Sequence, residues 1–382
     1  MDKLGIDNIS DLRENSNEIQ DVTDIDYSKL VAQITVVGVG GGGCNMVSHL
    51  IKNKVEGINM IAVNTDAKVL KRFNELKADE QYKDVKSINS IQIGKKLTKG
   101  LGAGMNPEKG KESALEDIDE IKKHFEGQDI IFIATGLGGG TGSGASSVVV
   151  DAALASDALT ITVSTLPFMF EGKKRKDIAN NALKELKESS NSIIEIQNDK
   201  LLEIEEYRKL GLSLKDSFKL VDDILARAVI GTVNIILSQG EDDINVDFND
   251  LKTIMQYKGS ALMGIGEGQG EDSSIQAITQ AIQSPLLSKT SIQGSMGILV
   301  YFEHNVNYPL EDVMKAMTHI HDIADENAMV IFGTSTNSDF ADDFVKITII
   351  ATGFENFEKN NQLDMIKKNN YNFLELDNKI EN

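Results

Sequence analysis

Gly136-Leu137-Gly138-Gly139-Gly140-Thr141-Gly142-Ser143-Gly144 is the stretch on which the reading of this chain turns. Six of the nine residues are glycine, more than any turn geometry needs. The stretch follows the apolar run Ile130-Ile131-Phe132-Ile133 and leads toward a helix expected to start near Ala145. A glycine-rich strand-to-helix loop lets the backbone approach an anion, and the helix N-terminus adds N–H donors and partial positive charge. Thr141 and Ser143 add hydroxyls able to bind phosphate.

A second loop of the same kind lies upstream. Gly38-Val39-Gly40-Gly41-Gly42-Gly43-Cys44-Asn45 follows a strand and runs into Met46-Val47-Ser48-His49-Leu50-Ile51. By itself it satisfies the dinucleotide pattern G-x-G-x-x-G through Gly38, Gly40 and Gly43, with Asp66 near the place of a ribose-binding acid. A nicotinamide-dependent enzyme is therefore one reading, but it leaves the Gly136–Gly144 cradle without a role. No G-x-x-x-x-G-K-[ST] phosphate loop occurs in the chain.

Around the loops, Ile34 to Val37, Met60 to Val63, Ile130 to Ile133 and Leu159 to Val163 are short, continuous and apolar, as in parallel strands buried on both faces. An α/β sheet binding its ligand at the carboxyl ends of the strands follows. Leu214, Phe218, Val221, Leu225, Ala228, Thr232 and Ile235 step by four and three along one helical face, so a long helix spans 213–238. The expected organisation is an acidic disordered leader (1–30), a nucleotide-binding domain (31–212), that helix, a smaller α+β domain (239–353) and a flexible tail (354–382). The leader carries eight acids against three bases.

The 382 residues are 41% hydrophobic and carry a formal charge of −20, which argues against nucleic acid and anionic lipid as direct partners. No apolar run is long enough to insert into a bilayer. With Cys44 as the single cysteine no internal disulfide is possible, a reducing cytoplasm is the expected compartment, and no structural metal site is expected.

Gly138 to Gly144 carries the signature G-G-G-T-G-[ST]-G, and here the chain resembles the FtsZ family of tubulin-like cell-division GTPases. The resemblance runs from about Val31 to Gly353. It implies an α/β, tubulin/FtsZ-like fold and GTP or GDP as the bound nucleotide, with Mg2+ accompanying it. Within it, Gly41, Gly42, Gly43, Cys44 and Asn45 correspond to the first phosphate loop. Gly138, Gly139, Gly140, Thr141 and Gly142 form the second, and Ala103 and Gly104 lie in the loop that senses the γ-phosphate. Glu171 and Arg175 would hold the ribose, Asn198 and Asp223 would read the guanine edge, and Phe218 would stack on the base. Its position on the apolar stripe leaves a core role for Phe218 as the alternative.

Asn245-Val246-Asp247-Phe248-Asn249-Asp250 places two carboxylates three apart at a helix start, where acids also serve as ordinary caps. The resemblance implies a catalytic role instead. Asn245, Asp247 and Asp250 would complete the nucleotide site of a neighbouring subunit, so that head-to-tail filaments form and hydrolyse GTP at their contacts. It further implies assembly at mid-cell in a cytokinetic ring, with membrane-tethering and regulatory division proteins bound through the tail. Tyr371-Asn372-Phe373-Leu374-Glu375-Leu376 is at best a degenerate version of the family's anchor peptide.

Overall fold

The computed structural model describes residues 32–83, 85, 87–203, 211–237, 243–284 and 292–354. The expectations for the leader, and for the tail beyond Phe354, lie outside these residues.

The apolar runs form strands. β1 (Ile34–Val39) enters α1 (Gly40–Lys52), and β2 (Ile58–Asn64) enters α2 (Ala67–Lys77). β3 (Ser87–Gln92) is followed by three helices, α3 (Lys95–Thr98), α4 (Pro107–Glu116) and α5 (Ile118–Lys123). β4 (Ile130–Gly136), α6 (Gly140–Leu154), β5 (Leu159–Leu166), α7 (Lys173–Ser189), β6 (Ser192–Gln197) and α8 (Asn198–Glu203) complete this part. After α9 (Leu214–Leu237) and α10 (Phe248–Met255) come β7 (Ser260–Gln269), α11 (Ser273–Ile282) and β8 (Gly297–His304). α12 (Leu310–Ile323), β9 (Met329–Thr336) and β10 (Phe344–Thr352) follow.

Among the described residues the strands form one ten-stranded sheet in the order β3-β2-β1-β4-β5-β6-β7-β10-β8-β9. The strands from β3 to β7 in this order are parallel, as the unbroken apolar runs of β1, β2, β4 and β5 led us to expect. β10 is antiparallel to both β7 and β8, and β9 returns parallel to β8. Alternate residues of each strand enter different cores. Val36 and Phe132 pack with α1 and α9 on one face, while Val37 and Ile133 pack with α6 and α7 on the other. A third core joins α11 and α12 to β8 and β10.

α9 positions the ends of the molecule. Its 24 residues span about 36 Å at 1.5 Å per residue. It begins at the carboxyl end of the parallel strands, where Phe218 meets Phe168 just beyond β5. It ends at the opposite edge, where Leu237 packs on Gly57 before β2. Met255, closing α10, accepts a hydrogen bond from Ser192 Oγ at the amino end of β6 (2.6 Å). The Asn245–Asp250 segment and the glycine loops therefore lie at opposite edges of the sheet.

Candidate functional site

From β1 the chain proceeds outward through β2 and β3, whereas from β4 it proceeds the other way through β5 and β6. Neighbouring strands whose connections diverge leave a crevice between their carboxyl ends, the usual ligand site of such sheets. The two glycine loops emerge there.

Both loops turn helical within their glycine runs. α1 begins at Gly40 and α6 at Gly140, not near Met46 and Ala145 as expected from glycine's poor helix propensity. Close backbone packing is the reason. A Cβ on Gly140 would lie 2.3 Å from Gly104 O, and one on Gly43 would lie 2.2 Å from Ala134 O. Gly140 N donates to Gly104 O at 2.8 Å, tying the third loop to the second, and the Thr65 and Thr141 hydroxyls meet at 2.7 Å. By contrast, Gly41, Gly104 and Gly139, one from each loop, face open space.

Neither α1 nor α6 has a side-chain cap or an acid in its first turn, whereas Asp66 caps α2, Asn106 caps α4 and Asp247 caps α10. Uncapped helix N-termini at a crevice offer N–H groups and positive potential to an anion. Asp66, the ribose acid of the nicotinamide reading, is engaged by Lys68 N at 2.8 Å. Ser143 is also corrected: its buried Oγ accepts from Gly138 N at 2.8 Å and braces the loop. Of the loop residues, Asn45 is exposed and Gly42 and Thr141 half-buried, while Ala103, Gly138 and Gly142 are packed into the loop framework.

Cys44 does not present its side chain to the crevice. The buried thiol donates toward Gly38 O and Val63 O at 3.6 and 3.8 Å and accepts from Asn64 Nδ2 at 3.6 Å. Burial pushes it up to about 12.

Along the rim, Glu171 and Arg175 come together, with Arg175 Nη1 donating to Glu171 Oε2 at 2.6 Å. Glu171 Oε1 also accepts from Phe168 N at 2.9 Å. Asn198 opens α8 and is buried, yet among the described residues its Oδ1 has no hydrogen-bond partner. Phe218 is 40% exposed rather than core. Its ring stands edge-on to Phe168 and Phe170, centroids 5.4 and 6.5 Å away.

Asp223, expected at the base, is engaged by protein groups. Its Oδ2 accepts from Arg227 Nε at 2.8 Å, and its Oδ1 lies 3.4 Å from His49 Nε2. The neighbouring Asp222 lines a cleft of about 380 Å³ with Asn45, Ser48, His49, Lys52 and Lys219. Burial pushes its carboxyl up to about 7. Asp222 was not singled out from the sequence, although helix periodicity distinguishes it from Asp223. At 100° per residue, Asp222 lies about 40° around the helix from Phe218 and Asp223 about 140°.

The acidic segment sits at the far edge. Asp247 Oδ1 accepts from Asp250 N at 2.8 Å, so Asp247 is a true cap. Asn245 and Asp247 are exposed and Asp250 half-buried. These three residues are not brought to the glycine crevice of their own chain.

A triphosphate nucleotide fits this geometry: two uncapped helices, three open glycines, an orphaned buried amide oxygen and a half-exposed aromatic ring share one rim. The class so defined is a tubulin-type GTPase. Residues 33–206 match the GTPase domain of the Tubulin/FtsZ family, and residues 259–355 match the C-terminal domain of the FtsZ family. The chain belongs to the FtsZ family. It is 43% identical over 338 residues to the cell division protein FtsZ of Helicobacter pylori strain J99, covering 88% of this chain and 83% of that protein. With the cell division protein FtsZ of Aquifex aeolicus it shares 40% identity over 341 residues, 88% of either chain. An empty FtsZ dimer from M. jannaschii superposes with a TM-score of 0.75 at 38% identity, covering 86% of this chain and 90% of that one. The CetZ2 protofilament from Haloferax volcanii, 19% identical with a TM-score of 0.67, shares the fold; the match covers 88% of this chain and 99% of that one.

Proposed function

We propose that this GTPase works in cell division as a head-to-tail filament whose catalytic site is completed by the next subunit. The observation that carries this reading is the separation of the acidic segment from the nucleotide crevice. A loop with Asn245, Asp247 and Asp250 at one edge and an anion cradle at the other cannot meet within one chain, but they meet when a second copy stacks on the first. Such a contact is heterologous and propagates as an open filament.

In this reading the first-turn N–H groups of α1 and α6 hold the phosphates, Glu171 and Arg175 take the ribose, and Phe218 packs on the base. Asn198 supplies its unsatisfied amide oxygen to the base. The carboxylate for the guanine N–H pair is assigned to Asp222, with Asp223 holding α1 and α9 together through His49. Adenine, lacking that donor pair, would leave the carboxylate unpaired and be rejected. Asp250 and Asp247 of the adjoining copy orient the water that attacks the γ-phosphorus, and Asn245 helps position it. Phosphoryl transfer needs chiefly alignment and charge stabilisation, so a neighbour can supply the missing part. Mg2+ would neutralise phosphate charge, held by phosphates and water rather than a protein cage, since among the described residues no three His, Cys, Asp or Glu side chains group around a metal position. Mid-cell assembly and recruitment of tethering proteins through the tail belong to the same proposal. Among the described residues no helix is long and apolar enough to cross a membrane.

Dilution tests the composite site. Phosphate release per subunit should fall toward zero below the concentration at which light scattering detects filaments, and rise above it. Turnover per subunit that stays constant on dilution leaves a self-contained GTPase and ends the proposal.

A further inference from the structure

The seam between α1 and α9 carries more charge chemistry than the phosphate cradle uses. Asn45, Ser48, His49 and Lys52 face it from α1, and Lys219 and Asp222 from α9. Asp223 is tied to His49 and Arg227 beside it. Asp222 is different: it lines the cleft with no hydrogen bond or ion pair to a described residue, although two lysines line the same cleft. Phe218, the ring proposed to pack on the base, lies one turn away on the same face. Asn45, across the cleft, belongs to the first glycine loop.

We propose that this cleft makes guanine nucleotide binding proton-sensitive: protonation of Asp222 removes the acceptor for the base and weakens binding as pH falls. The inference rests on the assignment of Asp222 to the base. A carboxylate can accept both guanine N–H groups, whereas a carboxylic acid presents a donor where an acceptor is needed. Loss of the proton from this group is opposed by its burial, and among the described residues no partner stabilises the charge. His49 is engaged by Asp223 rather than by Asp222, and neither Lys52 nor Lys219 pairs with it, so among the described residues the ligand itself is the group that stabilises the anion.

The linkage runs in one direction. Bound nucleotide favours the carboxylate, so binding releases a proton wherever the free protein holds one. With half-protonation near pH 7, the dissociation constant should rise about tenfold between pH 8 and pH 6 from this group alone. Ionisation of the terminal phosphate adds its own slope, and a variant separates the two.

GDP binding to the full chain should be measured near pH 6, 7 and 8 for the parent and for Asp222→Asn, with proton release followed calorimetrically in two buffers of different ionisation enthalpy. The parent should show the extra tenfold slope and the extra released proton. Asp222→Asn should bind more weakly at pH 8, keep only the shallower slope due to phosphate, and release correspondingly less. Equal slopes and equal proton release in the two proteins overturn the proton-sensitive site while leaving Asp222 as the base reader, provided the variant binds more weakly. A variant that binds GDP like the parent at every pH removes the base assignment, and the inference with it. Asp222→Glu, which keeps a carboxylate, guards against a folding defect: it should restore a pH slope steeper than that of Asp222→Asn, and its failure to do so with intact circular dichroism counts against the proposal.

Discussion

Cys44 stands in the run Gly43-Cys44-Asn45, next to residues that meet the crevice, yet its own thiol faces the core. One residue of helix rotates a side chain by about 100°, which is enough to exchange solvent for the buried cluster of Met46, Val47 and Leu50. The thiolate is the nucleophile, and a thiol pushed up to about 12 is almost wholly protonated at neutral pH. Iodoacetamide should therefore label native protein at about pH 8 on the order of a thousandfold more slowly than protein unfolded in urea, read as adduct mass. Rapid labelling of the nucleotide-free native chain would overturn the inward placement of this side chain. The same rotation separates Asp222 from Asp223, so a carboxylate pair adjacent in sequence divides between an open cleft and a helix-to-helix bridge.

Elements carry a second kind of information, in the way their ends are finished. α2, α4 and α10 are closed by Asp66, Asn106 and Asp247, while α1 and α6 are left open. α7 and α11 also start without a side-chain cap or a first-turn acid, so it is the open ends together with the glycine crevice that suit an anion. The closed end at α10 raises a question of roles, because Asp247 is both cap and proposed catalytic residue. Substitution separates them. Asp247→Ala removes the cap and should destabilise the fold by about 1 kcal/mol. Asp247→Ser keeps a capping oxygen and should retain that stability. If the carboxylate acts on a neighbour's nucleotide, both variants lose phosphate release equally, whatever their stability in urea. Recovery of turnover in Asp247→Ser would reduce Asp247 to a cap. β7 shows packing overriding local preference in another element. Its glycines at 264, 266 and 268 argue against a strand, but a Cβ on Gly266 would lie 2.0 Å from Ala277 O, so the strand exists because α11 lies directly on it.

At the scale of the whole molecule, the function proposed requires two edges, held apart by α9 and the height of the sheet. The geometry has a consequence for mixtures. Gly140→Asp places a side chain where Gly104 O already stands, at 2.3 Å from the Cβ position, and sets a negative charge at an anion site. Such a chain keeps the acidic segment and loses the cradle, while Asp250→Ala keeps the cradle and loses the segment. Each alone should release little phosphate. Mixed in equal amounts, with both shown folded by circular dichroism, they should release more than the sum of the two, because some contacts join an intact cradle to an intact segment. No gain in a mixture that co-sediments would show that the two edges do not share a site.

The apolar runs and the two glycine loops determined the parallel sheet and its ligand edge from sequence alone, since continuous β-branched residues suit strands covered on both sides and glycine clusters have few other uses. The seven-residue motif from Gly138 to Gly144 was enough to mark the family. Three features came only with the tertiary structure. Polar β3 and glycine-rich β7 are strands because a neighbouring strand or helix supplies what their sequences lack. The helices begin inside the glycine loops, at Gly40 and Gly140, because backbone packs on backbone with no side chain between. The choice between Asp222 and Asp223 rests on which of them meets His49 and Arg227 and which is left facing the cleft. Periodicity can suggest that division, but a contact between α1 and α9, residues far apart in the chain, is what decides it.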